Sequence, residues 1–291
     1  MISPELMEQV VVNILRTAVT SLPSDILSAL EKAEDLETSE IAKTQLRAIL
    51  LNVKCAEETS IPMCQDTGTP LFFVSGRCDG DIEKAIRRGV ERATREIPLR
   101  PNIVHPLTRK NSGNNLGVGM PHVHFSPGPE DFVEITVMPK GAGSENMSAL
   151  RMLSPSEGLR SVKSFVLDVV VDAGGRPCPP TIVGVGIGGS ADIAMSLAKR
   201  ALLRPLDVVN PDSELGELEE ELLDAVNQTG IGPMGLGGRT TCLGVKVDLA
   251  HCHTASLPVA VNLQCWAARR ASARLFRDGR VTYSKEGFAL D

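Results

Sequence analysis

The hydrophobic period changes once along this chain, and that change limits the folds open to it. Through the first sixty residues apolar positions recur at steps of three and four, in ELMEQVVVNILRTAV and again in SEIAKTQLRAILLNVKCAEE, which predicts amphipathic helices. Pro23 and Ser24 mark a break and a restart between them. Further on, short apolar runs alternate with amphipathic stretches: LFFV from residue 71, a helical DIEKAIRRGVERATREI, FVEITV from 132, a helical SEGLRSVKSFVLDVV, then TIVGVGI. A helix from about Ala191 to Leu203, an acidic helix in SELGELEEELLDAVNQ, a Gly-rich loop and the runs CLGVKV and LPVAVNL complete the pattern. The expected fold class is mixed α/β, a helical region over residues 1–60 followed by a mixed α/β body. The acidic stretch reads as a solvated helix face.

No long linker, low-complexity segment or repeat of fixed period divides the chain, so the expectation is one domain over residues 1–291. That length is enough to bury a core, and with aromatics at only 3% the core must be aliphatic. Thirty Lys and Arg against 36 Asp and Glu leave a net charge of -6, which argues against a general nucleic-acid or anionic-membrane partner and for a small ligand. The N-terminus carries acids before its first basic residue and lacks a long apolar segment, so no signal peptide is expected. Runs such as SFVLDVVVDAGG are interrupted by Asp168 and Asp172 well short of a membrane span. Seven cysteines, odd in number and scattered, do not resemble a disulfide framework; a reducing cytoplasm is the expected location.

Gly and Pro cluster in four loops: IPMCQDTGTP at 61, KGAGSEN at 140, GGRPCPPTIVGVGIGGS at 174 and GIGPMGLGGRTT at 230. Each alone is an ordinary turn; four together, beside polar or sulfur-bearing residues, suggest backbone N–H groups brought close to a ligand. Gly184, Gly186 and Gly189 formally satisfy GxGxxG before a helix, as a dinucleotide loop would. The same spacing recurs at Gly230, Gly232 and Gly235 with Pro233 inside it and no helix following, so the match carries little information.

The cysteines and their neighbours are more informative. Cys55, on a helix, and Cys78, beside a turn, read as incidental. Cys64, Cys178 and Cys265 lie among loop formers or polar groups, in PMCQDTG, RPCPPT and NLQCWAARR. No CxxC pair is present, so spacing alone predicts neither zinc nor a ferredoxin-type cluster, yet thiolates from distant loops can converge in a fold. Asp66 follows Cys64 by two residues, and His251, Cys252 and His253 lead into an apolar run. Carboxylate and imidazole are the usual proton-transfer groups. Singly, Asp66 reads equally as a turn residue or helix cap and His253 as a satisfied buried histidine; beside candidate thiolates they make a joint site.

The segments IPMCQDTGTP, LRPNIVHPLTRKNSGNN, KGAGSENMSAL, PCPPTIVGVGIGGSADIAMSLAKRALLR, IGPMGLGGRTTCLGVKV and HTASLPVAVNLQCWAAR occur in the order found in one family. From about residue 40 to 275 the chain resembles the class I, iron-sulfur-dependent fumarate hydratase and L-tartrate dehydratase family, in its N-terminal domain or separate α subunit. The resemblance implies a mixed α/β catalytic domain with Gly/Pro-rich active-site loops, and a 4Fe-4S cluster held by Cys64, Cys178 and Cys265, its fourth iron open to act as a Lewis acid. It implies reversible hydration of a C4 dicarboxylate, with fumarate and malate first and L-tartrate to oxaloacetate next. Asp66 and His253 match the proton-transfer pair, without division into base and acid; Gln65, Arg100 and Gly143 match substrate-binding positions. An Arg there suits a carboxylate, which its planar fork accepts bidentately. Single-chain members continue into a second domain, so a β subunit is the expected partner, in an α2β2 arrangement. Roles for Cys242 and Cys252 do not follow from the resemblance. Two other readings remain: a nucleotide-binding regulatory subunit, and a scaffold without a cluster.

Overall fold

The computed structural model describes residues 2–76 and 81–287, in two compact units; Cys78 lies outside the described residues. The first unit comprises Met1–Ser24, Leu51–Ala142 and Arg269–Asp291, and the second Asp25–Leu50 and Gly143–Ala268.

In the first unit, α1 (Pro4–Thr20) begins where the sequence signals it: Ser3 Oγ accepts the Leu6 N–H at 3.1 Å, and proline takes the first helical turn. Its Val10, Val11, Ile14, Leu15, Ala18 and Val19 are buried. Among the described residues one stretch, Pro4–Leu36, is by length and composition apolar enough to cross a membrane; 72% of its most apolar window is buried inside the protein. Helix α4 (Ile82–Glu96) is capped by Asp81, whose side chain accepts the Lys84 N–H at 3.1 Å. It packs against α1. The sheet consists of β1 (Thr69–Ser75), β2 (His122–Ser126), β3 (Phe132–Lys140), β8 (Ala271–Phe276) and β9 (Val281–Ser284), in the order β2-β1-β3-β8-β9. Alternate residues of the three central strands, among them Phe72, Val74, Val133, Ile135, Val137, Ala273 and Leu275, join α1 and α4 in one aliphatic core.

Helix α2 (Ser24–Leu36) restarts as Pro23 and Ser24 predict, and α3 (Glu40–Thr59) follows, its residues through Leu50 belonging to the second unit. The second unit continues with the short α5 (Ala142–Glu145), β4 (Ala149–Leu153), α6 (Gly158–Ala173), β5 (Thr181–Gly188), α7 (Ala191–Ala201), α8 (Ser213–Asn227), β6 (Cys242–Ala250) and β7 (Leu257–Gln264). Its strands order as β4-β7-β5-β6, with β5 parallel to β6 and antiparallel to β7. Val183 and Val185 of β5 meet α6 and α8 in the main core, with Val166, Leu218 and Leu222.

The opposite face of β5 explains the GxGxxG spacing. A Cβ on Gly184 would lie 2.1 Å from the Ala198 carbonyl oxygen, and one on Gly186 2.0 Å from that of Ala194. The two glycines let α7 lie directly on the strand, so they are packing residues inside β5. Helix α8 departs from a uniformly solvated acidic face at one residue. Glu219 is 7% exposed, and its Oε1 accepts from Asn210 Nδ2 at 2.8 Å, from the Val247 N–H at 2.7 Å and from Arg204.

The mixed α/β class and the helical N-terminal region agree with the expectation from sequence. Four strands were not legible there: β2, β4, β8 and β9. Three of them, β2, β4 and β9, are sheet edges with mostly exposed or half-exposed residues, and so show no buried apolar run.

Candidate active site

In the first unit the IPMCQDTGTP loop is organised around Asp66. Its Oδ1 accepts the Gly68 N–H at 2.9 Å and Asn102 Nδ2 at 3.1 Å, while Oδ2 accepts the Ala142 N–H at 2.7 Å. The bond to Gly68 is the Asx turn expected of a turn aspartate. The bonds to Asn102 and Ala142 come from far along the chain and fix the carboxylate plane. From the other side, Arg269 Nη1 donates to the Asp66 carbonyl at 2.8 Å. Arg269 is 1% exposed, and among the described residues its Nε has no hydrogen-bond partner. Burying a guanidinium is costly, so placing one behind Asp66 makes this loop a fixed feature of the unit.

Arg100 joins the same neighbourhood through its backbone. Its N–H donates to Thr67 Oγ1 at 3.1 Å, and its carbonyl accepts Asn115 Nδ2 at 3.1 Å. The Arg100 and Gln65 side chains are exposed, and Cys64 and Asp66 are half-buried. Cys64 follows Met63, whose N–H donates to the Val19 carbonyl at 3.0 Å. The first unit therefore brings Cys64, Gln65, Asp66 and Arg100 together, with backbone and carboxylate fixed and the substrate-type side chains open.

In the second unit Cys178 occupies a strained turn, a non-glycine residue at φ 56°. Two prolines follow it, Pro179 and Pro180, joined by a cis bond. The Trp266 N–H donates to the Cys178 carbonyl at 3.2 Å, which places Cys265 beside it. The strand pairing has the same result, since Ile182 opposes Gln264 at that end of the sheet. Both cysteines are half-buried. Gly143 is exposed, and a Cβ there would come within 3.2 Å of the Arg176 carbonyl, two residues before Cys178. Cys178, Cys265 and Gly143 thus share one end of the second unit.

His253 does not join them. It is exposed rather than buried, in a turn where its Nδ1 accepts the Ala255 N–H at 3.1 Å. The turn leads into β7 at Leu257, whereas Cys265 follows Gln264 at the other end of that strand. The seven steps between the strand's eight extended residues, at roughly 3.3 Å each, put about 23 Å between the two ends.

The donor set suits an iron-sulfur cluster. Cys178 lies on a Gly/Pro loop with Cys265 beside it at the end of β7, Cys64 is similarly accessible, and none of the six described cysteines is in a disulfide. Soft thiolates of this kind are the usual ligands of such clusters. Cys242 is a poor ligand: it is buried at the start of β6, its Sγ–H donates to the Gly244 carbonyl, and burial pushes its thiol up to about 12. Among the described residues no group of three or more His, Cys, Asp and Glu side chains is gathered about a single metal position. Cys64 belongs to the first unit and the other two cysteines to the second. Cys55 and Cys252 are exposed, and Cys252 Sγ–H donates to the Ser256 carbonyl at 3.1 Å.

Sequence reasoning missed Asn102, Arg269 and Trp266. Asn102 lies in LRPNIVHP and Arg269 in QCWAARR, and a charged residue within four positions of a candidate ligand is a signal that can be read. What they touch cannot be.

A protein of Methanocaldococcus jannaschii, provisionally named an L(+)-tartrate dehydratase subunit alpha, is 50% identical over 280 residues, covering 94% of this chain and 98% of its own length. The L(+)-tartrate dehydratase subunit alpha of Escherichia coli strain UTI89 is 35% identical over 275 residues, covering 93% and 91%. A Geobacillus stearothermophilus protein, provisionally named a class I fumarate hydratase, is 39% identical over 269 residues; the match covers 88% of this chain but 52% of that one. With the fumarate hydratase (Fumerase) model matching residues 8–274 as well, the chain belongs to the fumarate hydratase family of hydro-lyases.

Proposed function

We propose that this chain is the α subunit of a hydro-lyase that reversibly adds water to a C4 dicarboxylate, fumarate to malate first, with a 4Fe-4S cluster on Cys64, Cys178 and Cys265. The observation that carries the reading is the pairing of Cys178 with Cys265 through the Trp266 N–H, which sets two soft ligands side by side at one end of a sheet. When bound, such a cluster supplies a Lewis acid that makes hydroxide a better leaving group without redox change.

The chain's own residues do the remaining work. Arg100 offers an exposed guanidinium to one substrate carboxylate, and Gln65 an exposed amide beside it. Gly143 lets substrate approach the backbone without a side chain in the way. Asp66 exchanges a proton with substrate at a carboxylate oxygen; the Asn102 and Ala142 bonds hold it in one orientation, so little reorganisation is needed at the moment of transfer. His253 is the second proton-transfer group.

The partner is a β subunit supplying the rest of the substrate site, in an α2β2 assembly, as the "subunit alpha" names of two relatives support. The location is the cytoplasm, where the thiols stay reduced. L(+)-tartrate is the second substrate reading, favoured because the relatives that match along nearly their whole length carry that name.

The test is anaerobic purification with the β subunit, followed by iron and sulfide analysis and parallel assays with fumarate, malate and L(+)-tartrate. About four irons and four sulfides per chain are expected, falling sharply in C64S, C178S and C265S. Full turnover without iron would remove the proposal.

A further inference from the structure

We propose that Glu37 is a positioning residue for Cys178: it anchors the Gly-rich loop that follows α8, and that loop clamps the Cys178 turn from both sides. The inference rests on the cluster reading above and deepens it. Every residue it uses belongs to the second unit.

Glu37 follows α2 and is only 4% exposed. Its two oxygens divide the work. Oε1 accepts the Thr38 and Ser39 N–H groups at 2.8 and 2.9 Å, closing the joint between α2 and α3, while Oε2 accepts the Arg239 N–H at 2.8 Å across 202 positions of sequence. Burial works against the charge, but the N–H groups of Ser39, Arg239, Thr38 and Thr240 outweigh it and hold the carboxyl below its ordinary value. The loop comes this close because residue 238 is glycine. At its φ of 135° a Cβ would lie 2.7 Å from Glu37 Oε2 and 2.8 Å from the Ala42 Cβ.

Farther along, the same loop grips the Cys178 turn. The Met234 N–H donates to the Pro179 carbonyl at 2.8 Å, and Gly235 lies back to back with Gly175, where a Cβ on Gly235 would come within 2.6 Å of the Gly175 Cα. The Gly175 carbonyl accepts the Cys178 N–H at 3.1 Å, so the two contacts bracket the turn that carries the thiol. Between anchor and clamp the loop is braced internally: the Gly237 N–H donates to the Ile231 carbonyl at 2.9 Å, and the Gly232 N–H to Thr241 Oγ1 at 3.1 Å. Cys178 sits at φ 56°, a conformation a cysteine keeps only where its surroundings impose it. The clamp imposes it, and Glu37 fixes the clamp.

The experiment loosens the anchor from each side. E37Q turns an amide nitrogen toward one set of N–H donors, so it cannot hold the joint and the loop together. G238A leaves Glu37 intact and pushes the loop off it; either variant suffices should the other fold poorly. Both, and the double variant, are prepared anaerobically with the β subunit. Transfer of iron from the holoenzyme to a ferrous chelator should be about tenfold faster or more in each single variant, the scale of losing an outer-shell contact to a metal ligand. In protein freed of iron, iodoacetamide should modify Cys178 about tenfold faster relative to Cys64, the scale of one charge-assisted hydrogen bond. A merely structural role would not single out one cysteine. Because the two substitutions break the same link, the double variant should be no worse than the more affected single one.

Iron transfer or Cys178 alkylation at the wild-type rate in a folded variant would overturn the inference, as would effects that multiply in the double variant. A wild-type chain that takes up no iron strikes instead at the cluster reading. The alkylation ratio then still decides whether Glu37 holds the Cys178 turn.

Discussion

The Trp266 N–H donates to the Cys178 carbonyl at 3.2 Å, joining two cysteines that lie 87 positions apart in the sequence. Trp266 is the chain's only tryptophan and adjoins Cys265. A chromophore held by both thiolates would therefore sit beside the one indole. Anaerobic addition of iron and sulfide to the purified chain should quench its tryptophan emission as visible absorbance rises, and C178S should show neither change. Emission that stays constant while absorbance develops would place the chromophore elsewhere.

Asp66 is held by Asn102 Nδ2 at 3.1 Å and by the Ala142 N–H at 2.7 Å. Its replacement in D66N should cut kcat by about 10²–10⁴-fold, the range for loss of a proton-transfer group, while leaving iron content intact. N102A acts on the same carboxylate through position alone. It should cost about 10²-fold in kcat with a smaller change in KM, because misplacement affects the reacting geometry more than binding. Equal loss in kcat and KM would mark Asn102 as a packing residue.

The chain's periodicity disclosed what burial enforces. The helices became visible where one face had to be apolar, as in α1, and the strands β1, β3, β5, β6 and β7 where valine, isoleucine, leucine and phenylalanine ran together. Edge strands β2 and β4 escaped because exposed positions accept His, Arg and Ser as readily as Val. At the site, motifs were enough to nominate Cys64, Asp66 and Cys178. They did not show that Arg269 lies behind Asp66, since a contact spanning 203 residues leaves no local pattern. Nor did they show that His253 and Cys265, twelve residues apart, occupy opposite ends of a strand; that separation follows from β7 being extended rather than looped.

Gly184 and Gly186 provide a test of packing against ligand binding. An added Cβ would meet α7 carbonyl oxygens at 2.1 and 2.0 Å, and backbone cannot move aside as a flexible side chain can. G184A and G186A should each destabilise the protein by about 3 kcal/mol, read from the urea midpoint, as overpacking of a tight core does. Wild-type protein should bind no dinucleotide in calorimetric titration. Normal stability in both variants would return the glycines to a ligand-binding role.

Buried Glu219 is the hub of a polar network in the second unit, accepting from Asn210, the Val247 N–H and Arg204. Lys246 beside it donates to the Leu206 and Val208 carbonyls at 3.1 and 2.8 Å. Removing one member leaves cations buried without their counter-charge, which costs about 3–5 kcal/mol. E219A should therefore lower the urea midpoint far more than E220A, whose carboxylate lies on the exposed side of α8. Equal midpoints would show that water reaches Arg204 and Lys246 in the variant.

Cys242 gives a pH dependence of defined sign. Burial holds its thiol neutral, moving its titration from an ordinary 9.0 up to about 12. The unfolded chain releases this proton near 9 and the folded chain does not, so the unfolded state gains relative to the folded one as pH rises through that interval. The stabilising contribution is fully present below 9 and is lost between 9 and about 12. In the folded protein, iodoacetamide at pH 9 should modify the exposed Cys55 and Cys252 and leave Cys242 untouched, as read by peptide mass spectrometry. C242A removes the titrating group, so its urea midpoint should fall less steeply than that of wild type between pH 9 and 10.5. Rapid alkylation of Cys242 at pH 9 without unfolding would mean that the start of β6 opens to solvent, and the steeper fall would then need another titrating group.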